Sequence, residues 1–109
     1  MNVLFVCSRN RLRSPTAEAV FADVPGVAVA SAGTAPDAEQ SLDSELLAWA
    51  DLICVMEARH KRHLTRSFSR HLRDKRLVVL DIPDIYDWMD PALIALLQAR
   101  VGPLLSRRP

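Results

Sequence analysis

The chain has 109 residues, half of them hydrophobic and a quarter charged, with a formal net charge of +1. That length suits one small domain spanning 1–109, and the near-neutral balance argues against a polyanion partner for the chain as a whole. No apolar run approaches the roughly 20 residues of a membrane helix, and no secretory signal pattern is visible. The two cysteines, Cys7 and Cys54, make neither a disulfide framework nor a metal site, so a reducing, cytoplasmic setting fits.

In chain order, residues 2–6 predict a strand that is apolar on both faces and therefore buried. Residues 15–23 predict a helix, with Ser14 as its N-cap and Pro15 at its first position, stopped by Asp23-Val24-Pro25-Gly26. A second strand covers 27–32 and breaks at Gly33-Thr34-Ala35-Pro36. Residues 42–50 read as a helix with Leu42, Leu46, Leu47 and Trp49 on its apolar face, 51–56 as a third strand and 58–71 as a long helix. Leu77-Val78-Val79-Leu80 is a fourth strand, followed by an acidic loop from Asp81 to Asp90. Pro91 begins the last helix, capped by Asp90 and ending near Arg100 to Gly102. Pro103 and the tail Ser106-Arg107-Arg108-Pro109 are expected to fray. Strands alternating with helices imply an α/β fold: a small four-stranded parallel sheet flanked by helices. Ligands in such sheets bind beyond the carboxyl ends of the strands, where the strand order reverses.

Cys7-Ser8-Arg9-Asn10-Arg11-Leu12-Arg13-Ser14-Pro15 leaves the first strand and opens the first helix. The first turn of a helix has unpaired N–H groups and a dipole that favours anions. A loop wrapped over that end can add further N–H groups and hold a phosphate-sized dianion. Arg13 can grip two oxygens of such an anion at once. Helix N-termini and nearby cations stabilise thiolates, so Cys7 is expected as a nucleophile beneath a bound phosphoryl group. Ser14 can donate a hydrogen bond to its sulfur. The ordinary alternatives, a buried cysteine and a solvated basic loop, do not explain why these groups share one turn.

Transfer of a phosphoryl group to sulfur needs a proton for the leaving oxygen. The loop after strand four offers Asp84, with Asp81 and Asp87 as rivals, although aspartates beside proline commonly only cap turns. Tyr86 and Trp88 can flank the mouth and stack on an aromatic substrate. Packing against the sheet is an equal alternative for Trp88. The segment Arg59 to Arg76 carries eight cations, His60, His63 and His71, and one acid, Asp74. It reads as a solvated helix face in preference to a surface for RNA or an acidic protein, because aromatic residues are not interleaved. The histidines lack metal-ligand spacing.

On these residues the chain resembles the low-molecular-weight protein tyrosine phosphatases, and within them a compact bacterial branch. Cys7 to Ser14 matches the family's Cys-x5-Arg-Ser/Thr signature directly after the first strand, and Pro15-Thr16-Ala17-Glu18-Ala19 its helix start. Ser31-Ala32-Gly33-Thr34, Asp51 to Glu57 with His60, and Pro83-Asp84-Ile85-Tyr86 are similar to its later segments. The resemblance implies strand order 2-1-3-4 and a phosphomonoester hydrolase acting through a phosphocysteine, with no metal or cofactor. It implies Cys7 as nucleophile, Arg13 as phosphate clamp, Ser14 as the group that eases thiolate departure, and Asp84 as general acid. Ser8, Arg9, Asn10, Arg11 and Leu12 would line the phosphate, with Asn10 holding an unusual backbone conformation, and Tyr86 would be the wall beside the substrate ring. The chain departs from the family in being shorter. Arg9 stands where glycine is usual, Leu12 where many members have a second cysteine, and Ile85 where proline follows the acid. The expected partner is a phosphorylated protein or small aryl phosphate. Two alternatives stand beside it: a phosphate- or nucleic-acid-binding module without catalysis, and an arsenate reductase, for which Cys54 is poorly placed as a resolving thiol.

Overall fold

In the computed structural model, which describes residues 1–106, four parallel strands form one sheet in the order β2-β1-β3-β4. They are β1 (Asn2–Cys7), β2 (Ala28–Gly33), β3 (Leu52–Val55) and β4 (Arg76–Val79). The helices are α1 (Arg13–Phe21), α2 (Ser44–Trp49), α3 (Ala58–Ser67) and α4 (Pro91–Ser106), with a short 3-10 turn at Ser69–Leu72. The expected fold class and strand order are both present, and the elements begin and end within a few residues of the expected positions.

β1 is central because both its faces are apolar. Val3, Leu4, Phe5 and Val6 are all fully buried, each worth roughly 1.5–3 kcal/mol of burial. Side chains alternate across a strand, so Val3, Phe5 and Cys7 join Cys54, Phe21, Leu93, Leu97 and Val101 beneath α1 and α4. Leu4 and Val6 join Ile53, Val55, Leu47 and Leu64 beneath α2 and α3. β2 pairs with one edge of β1 and β3 with the other, both in parallel. The order therefore reverses at the carboxyl end of β1, and Cys7 is the residue there.

Three local expectations are corrected. Ser14 is not the N-cap of α1: the helix begins at Arg13, Leu12 is the capping position, and no side chain caps it. The Ser14 hydroxyl is engaged with Cys7 and Asn10 instead. The long helix over 58–71 stops at Ser67, where Phe68 leaves helical geometry (φ −135°, ψ 29°) and packs half-buried against the α2/α3 core. The last helix runs through Pro103 to Ser106. A proline inside a helix costs about 3 kcal/mol, but the buried stripe Leu93, Leu97, Val101 and Leu105 continues across it, and burial of that face offsets much of the cost. Asp90 does cap this helix, accepting the Ala92 N–H at 2.8 Å. The expectation of fraying at Arg107, Arg108 and Pro109 lies outside the described residues.

Candidate active site

The turn from Cys7 to Arg13 is shaped from behind by the connection that follows β2. The N–H groups of Thr34, Ala35 and Glu39 donate to the carbonyls of Cys7, Ser8 and Arg9 at 3.0, 2.9 and 3.0 Å. In a trans peptide the N–H points opposite to the carbonyl before it. Tying those three carbonyls outward thus aims the N–H groups of Ser8, Arg9 and Asn10 to the inner side of the turn. The Asn10 N–H does reach Cys7 Sγ, at 3.2 Å. Asn10 itself has φ 57°, in the left-handed region, which asparagine tolerates better than most residues with a side chain. Gly33 makes the packing possible: a Cβ there would lie 2.5 Å from the Ser8 carbonyl oxygen and 2.6 Å from Ala38 Cβ.

Cys7 is 3% exposed. Its sulfur lies 2.9 Å from Ser14 Oγ, and that hydroxyl is also 2.8 Å from Asn10 Oδ1 and 3.5 Å from the Ala32 carbonyl. A hydroxyl has one proton and two lone pairs. When the sulfur is a thiol it can donate to Ser14 Oγ while Ser14 donates to Asn10; when it is a thiolate, Ser14 can turn its proton to the sulfur.

Arg13, at the start of α1, is 2% exposed. Its Nη1 donates to Glu57 Oε1 at 2.6 Å and to the Ile82 carbonyl at 2.8 Å, and its Nε lies 3.6 Å from Asp84 Oδ1. Glu57 also accepts from Arg59 Nη2 at 2.9 Å. The Arg59 hydrogen bond, aided by Arg13 and opposed by partial burial, holds the Glu57 carboxyl down at about 2. The same hydrogen bond to Glu57 raises Arg59 further above its ordinary range.

His60 closes the other side. The Glu57 N–H donates to His60 Nδ1 at 3.0 Å, so the ring proton sits on Nε2, which donates to Ser8 Oγ at 3.0 Å. Burial first, and then the positive charges of Arg13 and Arg59, push His60 down to about 4. The ring is neutral at pH 7, and Ser8 keeps its own hydroxyl proton free to point into the turn.

These groups bound a cleft of about 370 Å³ lined by Cys7, Ser8, Arg9, Arg11, Leu12, Arg13, Arg59 and Asp84. Of the three rival acids, Asp84 is the one on the cleft wall. Asp81 borders a separate hollow with Glu57, Ala58 and Pro83, and the Asp87 carbonyl accepts the Asp90 N–H at 3.2 Å. Tyr86 does not line the cleft; it packs half-buried against the α1/α4 core. Trp88 is 58% exposed and neither packs on the sheet nor lines the cleft. At the rim, Arg9 pairs with Asp37 at 3.0 Å and Arg11 with Glu39 at 3.6 Å. Sequence reasoning missed Glu57 and Arg59 as site residues, and Asp37 and Glu39 as their counterparts at the rim. A signal for the first pair was present, since both follow a strand whose carboxyl end lies beside that of β1.

Residues 2–48 match the family model described as low molecular weight phosphotyrosine protein phosphatase. Among solved structures, the chain is similar to Wzb of Vibrio vulnificus in complex with benzylphosphonate, at 26% identity and a TM-score of 0.80, with 98% of each chain covered. The tyrosine phosphatase Wzb of Escherichia coli K30 in complex with phosphate aligns with a TM-score of 0.81 at 19% identity, covering 99% of this chain and 98% of that one. The YwlE arginine phosphatase of Geobacillus stearothermophilus aligns with a TM-score of 0.74 at 24% identity, over 96% and 93%. No curated protein sequence matches the chain.

Proposed function

We propose that the chain is a cysteine-dependent phosphatase of the low molecular weight phosphotyrosine protein phosphatase kind, whose family model its residues 2–48 match, and that Cys7, Arg13 and Asp84 carry its hydrolysis of phosphomonoesters, phosphotyrosine-like esters among them. The observation that supports this assignment best is the convergence of the three on one cleft, with a buried sulfur at its floor and a carboxylate on its wall. The reaction has two halves. The Cys7 thiolate attacks phosphorus, the P–O ester bond breaks, and Asp84 gives its proton to the departing oxygen. Water then attacks the phosphocysteine, Asp84 takes the water's proton, and sulfur leaves as a thiolate that accepts a hydrogen bond from Ser14. Arg13, with the N–H groups of Ser8 and Arg9, holds the equatorial oxygens, where charge is spread in the transition state. Glu57 and the Ile82 carbonyl fix one edge of the Arg13 guanidinium, which leaves its remaining N–H groups for substrate. Asn10, Arg11 and Leu12 complete the turn.

An arsenate reductase relying on a second thiol of the chain is disfavoured. Cys54 is fully buried in β3 and burial pushes its thiol up to about 12.

The test uses aryl phosphates of graded leaving-group basicity. Cys7→Ser should abolish phosphate release while retaining phosphate binding. Asp84→Asn should lose roughly 10²–10³-fold on the most basic leaving groups and far less on activated ones, because only the former need the proton. A rate loss independent of the leaving group would move the acid role away from Asp84.

A further inference from the structure

Helix α3 leaves the cleft with a row of guanidinium groups on its outer face. Arg59, Arg62 and Arg66 stand at i, i+3 and i+7, one side of a helix whose other side buries His60 and Leu64. All three are exposed. Arg59 lines the cleft and is bonded to Glu57. Neither Arg62 nor Arg66 has an acid of the described residues within ion-pair distance. The row belongs to a segment, 59–76, that holds eight of the chain's 14 Lys and Arg residues against one acid, Asp74. In a chain whose net charge is only +1, the rest is correspondingly acidic, and the positive charge of the segment begins at the mouth of the cleft with Arg59 and runs along α3 towards the amino edge of the sheet, where Arg76 opens β4. Like charges at helical spacing repel, and an anionic partner removes that repulsion.

We propose that this row docks acidic residues flanking the phosphorylated residue of a protein substrate, so that the preferred substrate is a phosphorylated acidic peptide segment. The inference rests on the phosphatase reading above and names its substrate class. Seven residues of helix at about 1.5 Å each put Arg66 roughly 10 Å beyond Arg59 along the axis. An extended peptide covers that distance in about three residues at roughly 3.3 Å each. Acidic side chains within three or four positions of the phosphorylated residue therefore meet Arg62 and Arg66, and each guanidinium can hold a carboxylate through two N–H groups. A peptide fits better than a nucleic acid. The sulfur of Cys7 lies at the floor of the cleft with 3% of the residue exposed, within reach of a phosphoryl group on a projecting side chain and out of reach of a backbone phosphodiester. The outer face of α3 also lacks the aromatic side chains on which bases stack.

The experiment compares a small aryl phosphate with two phosphotyrosine peptides of equal length, one carrying Asp and Glu within four positions of the phosphotyrosine and one carrying Ser and Gln there. Each is assayed with the wild-type protein and with the R62E/R66E variant. The acidic peptide should have a kcat/KM roughly tenfold above the neutral one at ~0.05 M salt, mainly through KM. The advantage should fall towards unity near ~0.5 M salt. The double variant should lose the preference and keep wild-type turnover of the aryl phosphate. Equal kcat/KM for the two peptides overturns the proposal, as does a loss in the variant that is the same for aryl phosphate and peptide. If the wild-type protein turns over none of the three, the phosphatase reading fails, and docking is judged by fluorescence anisotropy of the labelled peptides on Cys7→Ser protein. A preference for the acidic peptide that disappears with R62E/R66E upholds the docking row, and equal binding overturns it. Tighter binding of a 5′-phosphorylated RNA oligomer of the same charge overturns the peptide assignment.

Discussion

His60 shows how much of the site depends on one neutral ring. It joins the backbone of Glu57 to the hydroxyl of Ser8, and it can do so only while Nδ1 accepts and Nε2 donates, because the doubly protonated ring offers no acceptor. Its folded-state value is lowered from an ordinary 6.5 to about 4. The unfolded chain therefore binds the extra proton first, and the fold loses stability as pH falls from 6.5 to about 4, keeping it in full above 6.5. Glu57 acts in a lower window. Its value is depressed to about 2, so its contribution is present above the ordinary 4.5 and is lost as pH falls through 2. At pH 5 the His60 share is roughly 1–2 kcal/mol. Urea midpoints measured at pH 7 and pH 5 should show that loss in the wild-type protein and much less of it in His60→Asn. An equal drop in both would place the acid sensitivity elsewhere. Cys7, Arg13 and Ser14 were legible from sequence because their spacing lies within one turn and carries its own chemistry. Glu57, Arg59 and His60 reach the same turn from some fifty residues away, and the only pointer to that destination is their place after the carboxyl end of a strand beside β1.

The connection between β2 and α2 works as a second wall for the phosphate-facing turn. Its N–H groups take the carbonyls of Cys7, Ser8 and Arg9, and its acids hold Arg9 and Arg11. Gly33 sits at the closest approach of the two. Its requirement is for space, since the nearest atoms to a Cβ would be a backbone oxygen at 2.5 Å and Ala38 Cβ at 2.6 Å. Gly33→Ala must displace one segment or the other. It should cost about 1–3 kcal/mol in thermal or urea unfolding, and it should lower kcat on an aryl phosphate beyond what the stability loss explains, because it re-aims the N–H groups of the turn. A variant with reduced stability and unaltered kcat would show that the turn keeps its shape without this packing. Ser14 looked like a cap because serine before proline at a helix start usually is one, but a nearby sulfur and amide compete for its hydroxyl. Pro103 is a stop by local propensity, and the buried stripe that continues to Leu105 overrides it.

At the scale of the whole molecule, the alternation of apolar runs with helical patterns was enough to read a four-stranded parallel sheet, because strands buried on both faces must be covered by helices on both sides. The asymmetry of charge is also legible in the sequence, as the cation-rich segment 59–76. Its bearing on the site appears only when α3 is seen to start beside Cys7. The two-sided core makes a further demand. Cys54 lies on an interior strand, level with Phe5 on one neighbour and Val78 on the other, and it is fully buried. Burial pushes its thiol up to about 12, against a smaller opposing pull from Arg76. Alkylating reagents react with thiolates, so Cys54 has to leave the sheet before it can react, and that opening breaks pairing on both sides of β3. The cost then approaches the global unfolding free energy, of order 5–15 kcal/mol for a domain. In Cys7→Ser protein at neutral pH, a small alkylating reagent should leave the intact mass unchanged over a period in which the urea-unfolded chain takes up one adduct. The labelling rate at intermediate urea should track the unfolded fraction, and suppression in water should be about a thousandfold or more. Native labelling at a rate close to that of the unfolded chain would mean that β3 opens on its own, and that the sheet holding Cys7 at the carboxyl end of its neighbouring strand is less cooperative than its double-sided burial implies.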